Sequence, residues 1–192
     1  MKAIMISIQP QWVEKMLNSE KTIEIRKTKP SCELPCKVYI YCTMPNKQEN
    51  RKPHSWEVVW LKRVVAEFIL NKVDTLERDL NDWLPKNRYD VSNELLKDIN
   101  LNQNELWNYG QGKILYAWCI DDLKIYDKPK ELSEFSHFIP NNKCPTKQCG
   151  TNCEDCPNYD EEHETCLALY YAHRAIKRPP QSYCYVEELE DE

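Results

Sequence analysis

The sequence predicts an α+β fold: a small mixed β-barrel with flanking helices and a Cys-rich, metal-binding insertion. Strand-like segments outnumber helical ones and do not alternate with them regularly, which argues against a parallel βαβ sheet. The chain has 192 residues, enough for one substantial core. Five of the ten cysteines fall between positions 144 and 166. We therefore expect a barrel domain formed by residues 1–140 and 178–192, and an insertion with a helix at 141–177.

The first part of the chain predicts three strands and one helix. Residues 2–8 are apolar on both alternating faces, as in a buried strand. Pro10 suits the first position of a helix, and Asn18 is predicted to end it as a left-handed cap. Residues 21–27 and 37–42 again have strand patterns. The predicted apolar face of the helix, with Trp12 as a core anchor, consists of Trp12, Val13, Met16 and Leu17.

The middle of the chain predicts a loop, two strands and a helical region. Residues 43–57 are polar and basic and read as an exposed loop, and residues 58–70 predict a strand that bends or is bulged. Residues 76–109 have a helical pattern that ends at Gly110. Residues 113–120 predict another strand.

The last part predicts a polar connector at 128–135, a Cys-rich loop at 141–158, a helix at 159–176 and a final strand within 178–189.

Composition excludes several classes of protein. Three glycines are too few for the phosphate-cradling loops of Rossmann or P-loop proteins. No apolar run approaches the roughly 20 residues of a membrane helix, and the first residues turn polar too quickly for a signal peptide. We expect a cytoplasmic protein without a membrane partner.

Charge is distributed unevenly. Residues 1–63 hold 12 Lys/Arg and 6 Asp/Glu, a surplus of +6, and the remainder holds 14 and 25, a deficit of −11. This distribution indicates either a local site for an anionic ligand in the basic part or chance clustering of solvated charge.

The segment "SEKTIEIRKTKP", residues 19–30, places polar side chains along one side of a strand. Lys21 and Arg26 would bring positive charge to a cleft, and Arg can grip a phosphate with two hydrogen bonds. Glu24 would hold the cations in position or accept a hydrogen bond from a base amine. The alternative is an exposed ion pair on a sheet face, which contributes little to stability.

The segment at 7–27, "SIQPQWVEKMLNSEKTIEIRK", resembles the opening of ASCH-domain proteins of the PUA-like superfamily. The signature of that family runs from a Ser-Ile strand end through Pro and a helix to "G-x-K-T-x-E-x-R". Residues 116–135 and 178–189 also resemble ASCH proteins of phages and prophages. Ser19 stands where the family usually has glycine.

The resemblance implies a PUA-like small barrel whose cleft receives RNA or a nucleotide. We favour a binding module over an enzyme, because the chain lacks a secure counterpart of the catalytic glutamate of the enzymatic branch. The family motif falls on Lys21, Glu24 and Arg26, with Ser7 and Pro10 upstream. Gln181 and Tyr183 of the last strand could line the same cavity, although they also fit ordinary strand packing. The predicted ligand-binding residues are Ser7, Lys21, Glu24, Arg26, Gln181 and Tyr183.

Two alternatives remain open. One bacterial branch of the superfamily is an amidohydrolase that removes the acetyl group from acetylated cytidine. If this chain is such a hydrolase, its catalytic residues would be Lys21 and Glu24, although that branch has threonine where Glu24 stands. The second alternative is a phage-encoded adaptor that binds a host protein through its acidic surface.

The Cys-rich segment predicts a structural zinc site with four thiolate ligands, Cys144, Cys149, Cys153 and Cys156. The C-x-x-C at 153 and 156 is a usual half-site, and a cytoplasmic setting argues against disulfides. An iron–sulfur cluster or free thiols are the alternatives, and one ligand could be replaced by Cys166, His163 or His173. The remaining cysteines, Cys32, Cys36, Cys42, Cys119 and Cys184, are interpreted as packing residues.

Overall fold

The computed structural model describes residues 1–45, 54–55, 57–80, 87–138, 159–160, 165–166 and 175–189. The strands there are β1 (Lys2–Ile8), β2 (Ile23–Arg26), β3 (Cys36–Cys42), β4 (Arg63–Leu70), β5 (Val73–Leu76), β6 (Leu115–Cys119), β7 (Asp121–Glu131), β8 (Tyr159–Asp160), β9 (Thr165–Cys166) and β10 (Tyr183–Glu187). The helices are α1 (Pro10–Leu17), α2 (Asn93–Asp98) and α3 (Gln103–Gly110), and two short 3₁₀ helices cover Glu57–Val59 and Leu132–Glu134.

The strands form two main sheets. The larger has the order β10-β1-β3-β4-β7, in which β1 and β3 are parallel and the other neighbours antiparallel. The smaller, antiparallel sheet has the order β2-β6-β5, and β8 pairs with β9. The fold is therefore mixed α+β, as predicted. The barrel itself needs correction: across the described ranges the strands do not close, because β2 pairs with β6 and not with the larger sheet.

Three apolar clusters hold these layers together. The first lies between the sheets and joins α1, β1, β3 and β4 to Trp118 of β6. The second covers the opposite face of the larger sheet, and the third packs α2 and α3 against the smaller sheet. Because both faces of β1 and β3 are covered, their side chains are apolar on both sides, which confirms the buried strands read from the sequence.

Helix α1 begins at Pro10 as predicted, and its apolar face packs into the first cluster. Its end differs by one residue from the prediction. Asn18 has φ −87, so it is not left-handed, and Ser19 instead takes the left-handed conformation with φ 59. A glycine fits that backbone best, which accounts physically for the glycine of the family motif.

The strand predicted at 58–70 begins later than expected. A 3₁₀ helix occupies Glu57–Val59, and β4 starts at Arg63. Its pairing with both neighbours contains register shifts, so the predicted bulge is confirmed.

The region 76–109 is only partly helical. Strand β5 extends to Leu76, and α2 and α3 are separate short helices. Asn102 and Glu105 form a capping box that begins α3. Gly110 is the last helical residue, and it is Gln111 that is left-handed, with φ 52.

Two further predictions were wrong in part. Strand β7 extends to Glu131 and so covers residues 128–131 of the connector predicted at 128–135. Within the predicted helix at 159–176, the described residues include the paired strands β8 and β9 instead. In the part of the chain that the structure describes, no helix combines the length and apolar character needed to span a membrane.

We expect Ser19→Gly to raise the free energy of unfolding by roughly 0.5–1 kcal/mol, because glycine removes the steric cost of the left-handed backbone. Urea denaturation measures the change. Asn18→Gly is the matched control: Asn18 is also exposed but has an ordinary φ of −87, so glycine there should give no gain. Equal effects of the two substitutions would contradict this account of the turn.

Candidate functional site

Strand β2 carries the charged motif into the interior. Glu24 pairs in register with Trp118, whose side chain belongs to the cluster between the sheets, and Arg26 pairs with Tyr116. Since side chains alternate along a strand, Ile25 points the other way, into the cluster beneath the two short helices. The polar side of β2 therefore faces the larger sheet and not the solvent.

Glu24 lies between two cations. Its Oε1 is 3.2 Å from Arg26 Nε, and its Oε2 is 3.6 Å from Lys21 Nζ. The relative exposures of the side chains are 3% for Lys21, 12% for Glu24 and 8% for Arg26. This burial excludes the interpretation as an exposed surface pair. We call Lys21, Glu24 and Arg26 the charge triad; it carries one net positive charge.

Arg26 connects three strands. Its Nη2 donates a hydrogen bond of 3.0 Å to the carbonyl of Ser7 at the end of β1, and its Nη1 makes a longer contact of 3.5 Å with the carbonyl of Ser182, next to β10. The contact of Nε with Glu24 is an ion pair without hydrogen-bond geometry. The guanidinium thus spans the opening between the two sheets.

Lys21 is held by Ile99 and Trp12 as well as by Glu24. Its ammonium donates a 2.7 Å hydrogen bond to the carbonyl of Ile99 and lies 5.4 Å from the centre of the Trp12 ring. Burial lowers the pKa of Lys21 below its ordinary value of 10.5, and the neighbouring Glu24 carboxylate only partly opposes this shift.

The charge triad lines a cavity of about 480 Å³. This volume falls within the range of small-ligand sites. The wall comes from the end of β1, α1, β2 and the α3 region, with the residues Ser7, Ile8, Gln9, Trp12, Lys21, Glu24, Ile25, Arg26, Leu101, Glu105, Asn108 and Tyr109.

Of the residues predicted to bind a ligand, Ser7 and the charge triad come together in this cavity. Gln181 and Tyr183 are not part of its wall. Gln181 is exposed, and the Tyr183 ring packs 5.6 Å from that of Trp118 while its hydroxyl donates to the Lys29 carbonyl. Trp12 serves as a core anchor, as predicted, and also lines the cavity.

Helix α3 supplies wall residues that sequence reasoning missed. Glu105, Asn108 and Tyr109 lie on its cavity side. Tyr109 is 38% exposed, and the Lys27 ammonium lies 4.7 Å from its ring centre. Partial burial raises the pKa of Tyr109. No local signal in the sequence indicated that this helix faces β2, because the contact depends on the pairing of β2 with β6.

The predicted metal ligands Cys144, Cys149, Cys153 and Cys156 lie outside the described residues, as do His163 and His173. Cys166 is the last residue of β9. Where the chain is described, no group of three or more His, Cys, Asp or Glu side chains is arranged to hold a metal ion.

No protein-family model and no curated protein matches the chain. Solved structures do match the chain. The chain is similar to ASCH from Zymomonas mobilis, with 16% identity and a TM-score of 0.52 over 97% of this chain and 88% of that one. The chain has the ASCH fold. Two single-residue variants of the Zymomonas protein, a Tyr-to-Phe and a Ser-to-Ala substitution, also match at 16% identity, with a TM-score of 0.50 over 97% of this chain and 91% and 89% of theirs.

The ASCH fold agrees with the resemblance drawn from the three sequence segments. At 16% identity the likeness concerns the course of the backbone. The chemistry of the cavity therefore has to be argued from the side chains of this chain.

The lowered pKa of Lys21 predicts a pH dependence of stability. Between that pKa and 10.5 the unfolded state binds more protons than the folded state, so the free energy of unfolding rises with pH in this window. We expect this rise to be smaller in Lys21→Met. Urea denaturation from neutral pH to about pH 10 of both proteins measures it. If the free energy of unfolding rose with pH equally in both proteins, burial would not disfavour the charged form of Lys21.

Proposed function

We propose that the chain is an RNA- or nucleotide-binding ASCH-type module without catalytic activity, and that its ligand occupies the cavity lined by Ser7 and the charge triad. The observation that carries this proposal is one net positive charge buried in the wall of a cavity of about 480 Å³. The resemblance of residues 7–27 to the opening of ASCH-domain proteins supports it. The resemblance of residues 116–135 and 178–189 to ASCH proteins of phages and prophages extends the proposal to a phage or prophage origin of the chain.

Phosphate is the ligand group that the charge favours. The Lys21 ammonium has three N–H donors and uses one on Ile99, while Glu24 offsets only one of the two cations. Attraction to an anion is stronger in a partly desolvated cavity than in water. Binding that depends on this attraction weakens as salt increases.

A base would be recognised by the polar and aromatic wall. Tyr109 offers an accessible ring for stacking, and Asn108 offers both a donor and an acceptor. Glu24 could accept a hydrogen bond from an exocyclic amine. In an RNA strand, Gln181 and Tyr183 would contact nucleotides beyond the cavity, next to Ser182 and its contact with Arg26.

The second candidate function is hydrolysis of an acylated nucleoside. The observation that favours it is a lysine of lowered pKa facing a ligand-sized cavity beside a carboxylate. Neutral Lys21 would take a proton from water, whose oxygen then attacks the acyl carbon, and the nucleoside amine leaves with a proton. Glu24 would orient the lysine.

One experiment separates the two functions. Cytidine, cytidine monophosphate, acetylated cytidine and a short RNA are titrated into the protein at low and high salt, and binding is followed by NMR. We expect the phosphorylated ligands to bind more tightly at low salt. Asn108→Ala should weaken binding several-fold, whereas Asn104→Ala, an exposed residue one turn earlier on α3 that is not part of the cavity wall, should not.

Chromatography of the acetylated cytidine after long incubation gives the second readout. Release of cytidine that is lost in Lys21→Met would establish the hydrolase. An unchanged substrate together with salt-sensitive binding supports the binding module. Absence of binding by every ligand at low salt would refute both.

We also propose that Cys144, Cys149, Cys153 and Cys156 hold a structural zinc ion. Four thiolates leave no open coordination position, so the ion would stabilise the segment and take no part in chemistry. Elemental analysis of reduced, purified protein should give one zinc per chain and none after substitution of all four cysteines by serine. Iron in place of zinc would indicate an iron–sulfur cluster, and the absence of any metal would indicate free thiols.

A further inference from the structure

The connection between β2 and β3 brings two cysteines together. Cys32 Sγ and Cys36 Sγ are 3.1 Å apart, and both are free thiols. A disulfide bond is about 2.05 Å long, so the two sulfurs would need to approach each other by only about 1 Å. These residues lie outside the cavity wall and have no part in the proposed ligand site.

The surrounding structure imposes this proximity. Cys36 is the first residue of β3 and is fixed by its pairing with β4. The preceding loop is attached to β10, because the Tyr185 hydroxyl lies 2.7 Å from both the backbone N and the Oγ of Ser31. The Tyr183 hydroxyl adds a hydrogen bond to the Lys29 carbonyl. Cys32 is therefore held on both sides, and the thiols meet without a covalent link.

We propose that Cys32 and Cys36 form a reversible dithiol–disulfide site that is oxidised by a hydroperoxide such as hydrogen peroxide. Cys32 is half-buried and Cys36 is 7% exposed, so the oxidant reaches Cys32 first. Burial and the adjacent Cys32 thiol raise the pKa of Cys36, which keeps it protonated as the second reactant.

The reaction balances in two steps. The Cys32 thiol gives up its proton and its sulfur attacks a peroxide oxygen. The O–O bond breaks, a sulfenic acid forms, and the released hydroxide takes up that proton and leaves as water. The Cys36 sulfur then attacks the Cys32 sulfur, the S–O bond breaks, and the released hydroxide leaves as water with the Cys36 proton. Together the two thiols lose two protons and two electrons, and hydrogen peroxide takes them up and becomes two waters. A dithiol reductant reverses the change.

A metal site is less well supported at this position. Two sulfurs are too few to enclose a zinc ion, and the described part of the chain provides no third His, Cys, Asp or Glu ligand in a suitable cluster. The covalent reaction needs only the two groups that the loop already brings together.

The sequence allows a direct test by mass spectrometry. Trypsin cleaves after Lys27 and Lys37 but not between Lys29 and Pro30, so both cysteines fall in one peptide, residues 28–37. The full-length reduced protein is treated with increasing hydrogen peroxide, unfolded, alkylated and digested. We expect peptide 28–37 to change from doubly alkylated to unalkylated, with two hydrogens fewer than the dithiol form, and to regain both alkyl groups after reduction.

Cys119, a half-buried free thiol on β6, is the internal reference and should stay alkylated at the same peroxide concentration. In Cys32→Ser the Cys36 thiol should also stay alkylated, which shows that the partner is required. The proposal is overturned if peptide 28–37 stays doubly alkylated until Cys119 is itself oxidised, if it gains oxygen without closing the bond, or if it links to another peptide.

Discussion

The structure depends on a carboxylate that is buried between two cations. Strand β2 makes no backbone ladder with the larger sheet, and the gap between them is spanned by Arg26, which reaches the carbonyls of Ser7 and Ser182. Glu24 fixes the direction of that guanidinium. Glu24 is the counter-charge of both cations, so removing it alone would leave two buried positive charges uncompensated and cost about 3–5 kcal/mol, whereas removing one cation leaves a neutral pair.

This arrangement also determines what the cavity can do. Arg26 directs Nε at Glu24 and uses one N–H of each Nη on a backbone carbonyl, so one N–H on each Nη remains for a ligand. Lys21 directs one N–H at Ile99 and one at Glu24, so both cations keep donors that a bound anion would accept from. In the proposed binding function, selectivity among ligands would fall to Asn108 and Tyr109, which line the cavity and have no part in connecting the sheets.

The sequence predicted those elements whose apolar residues recur with the period of a strand or of a helix. Strands β1 and β3 are apolar on both faces and α1 begins at a proline, so each was predicted close to its observed position. Strand β7 was missed because much of it is exposed and polar, with Lys and Asp in place of β-branched residues. Strand β5 was missed because its four residues, Val73–Leu76, are too few to show a clear period and lie at the boundary between the strand predicted at 58–70 and the helical pattern predicted from 76.

The site was predictable only where the family motif marked it. Lys21, Glu24 and Arg26 were found through their spacing, but their burial requires the pairing of β2 with β6, which is a long-range property. The position of the α3 residues in the cavity wall depends on the same pairing of β2 with β6. Cys32 and Cys36 were interpreted as packing residues because they belong to a set of cysteines scattered along the chain. Their contact depends on the attachment of the loop before β3 to Tyr185.

A purely structural role for the charge triad fits the cavity poorly. Buried ion pairs contribute little net stability, and well-packed apolar side chains of similar volume are often equal or better. A structural triad would also be expected in a tightly packed surrounding, since an unfilled space forfeits dispersion contacts. Here a cavity of about 480 Å³ adjoins all three charges and is bordered by Trp12 and Tyr109. Connecting the sheets does not require an open space beside the charges, and a charged ligand of nucleotide size would offset both the burial of charge and the unfilled volume.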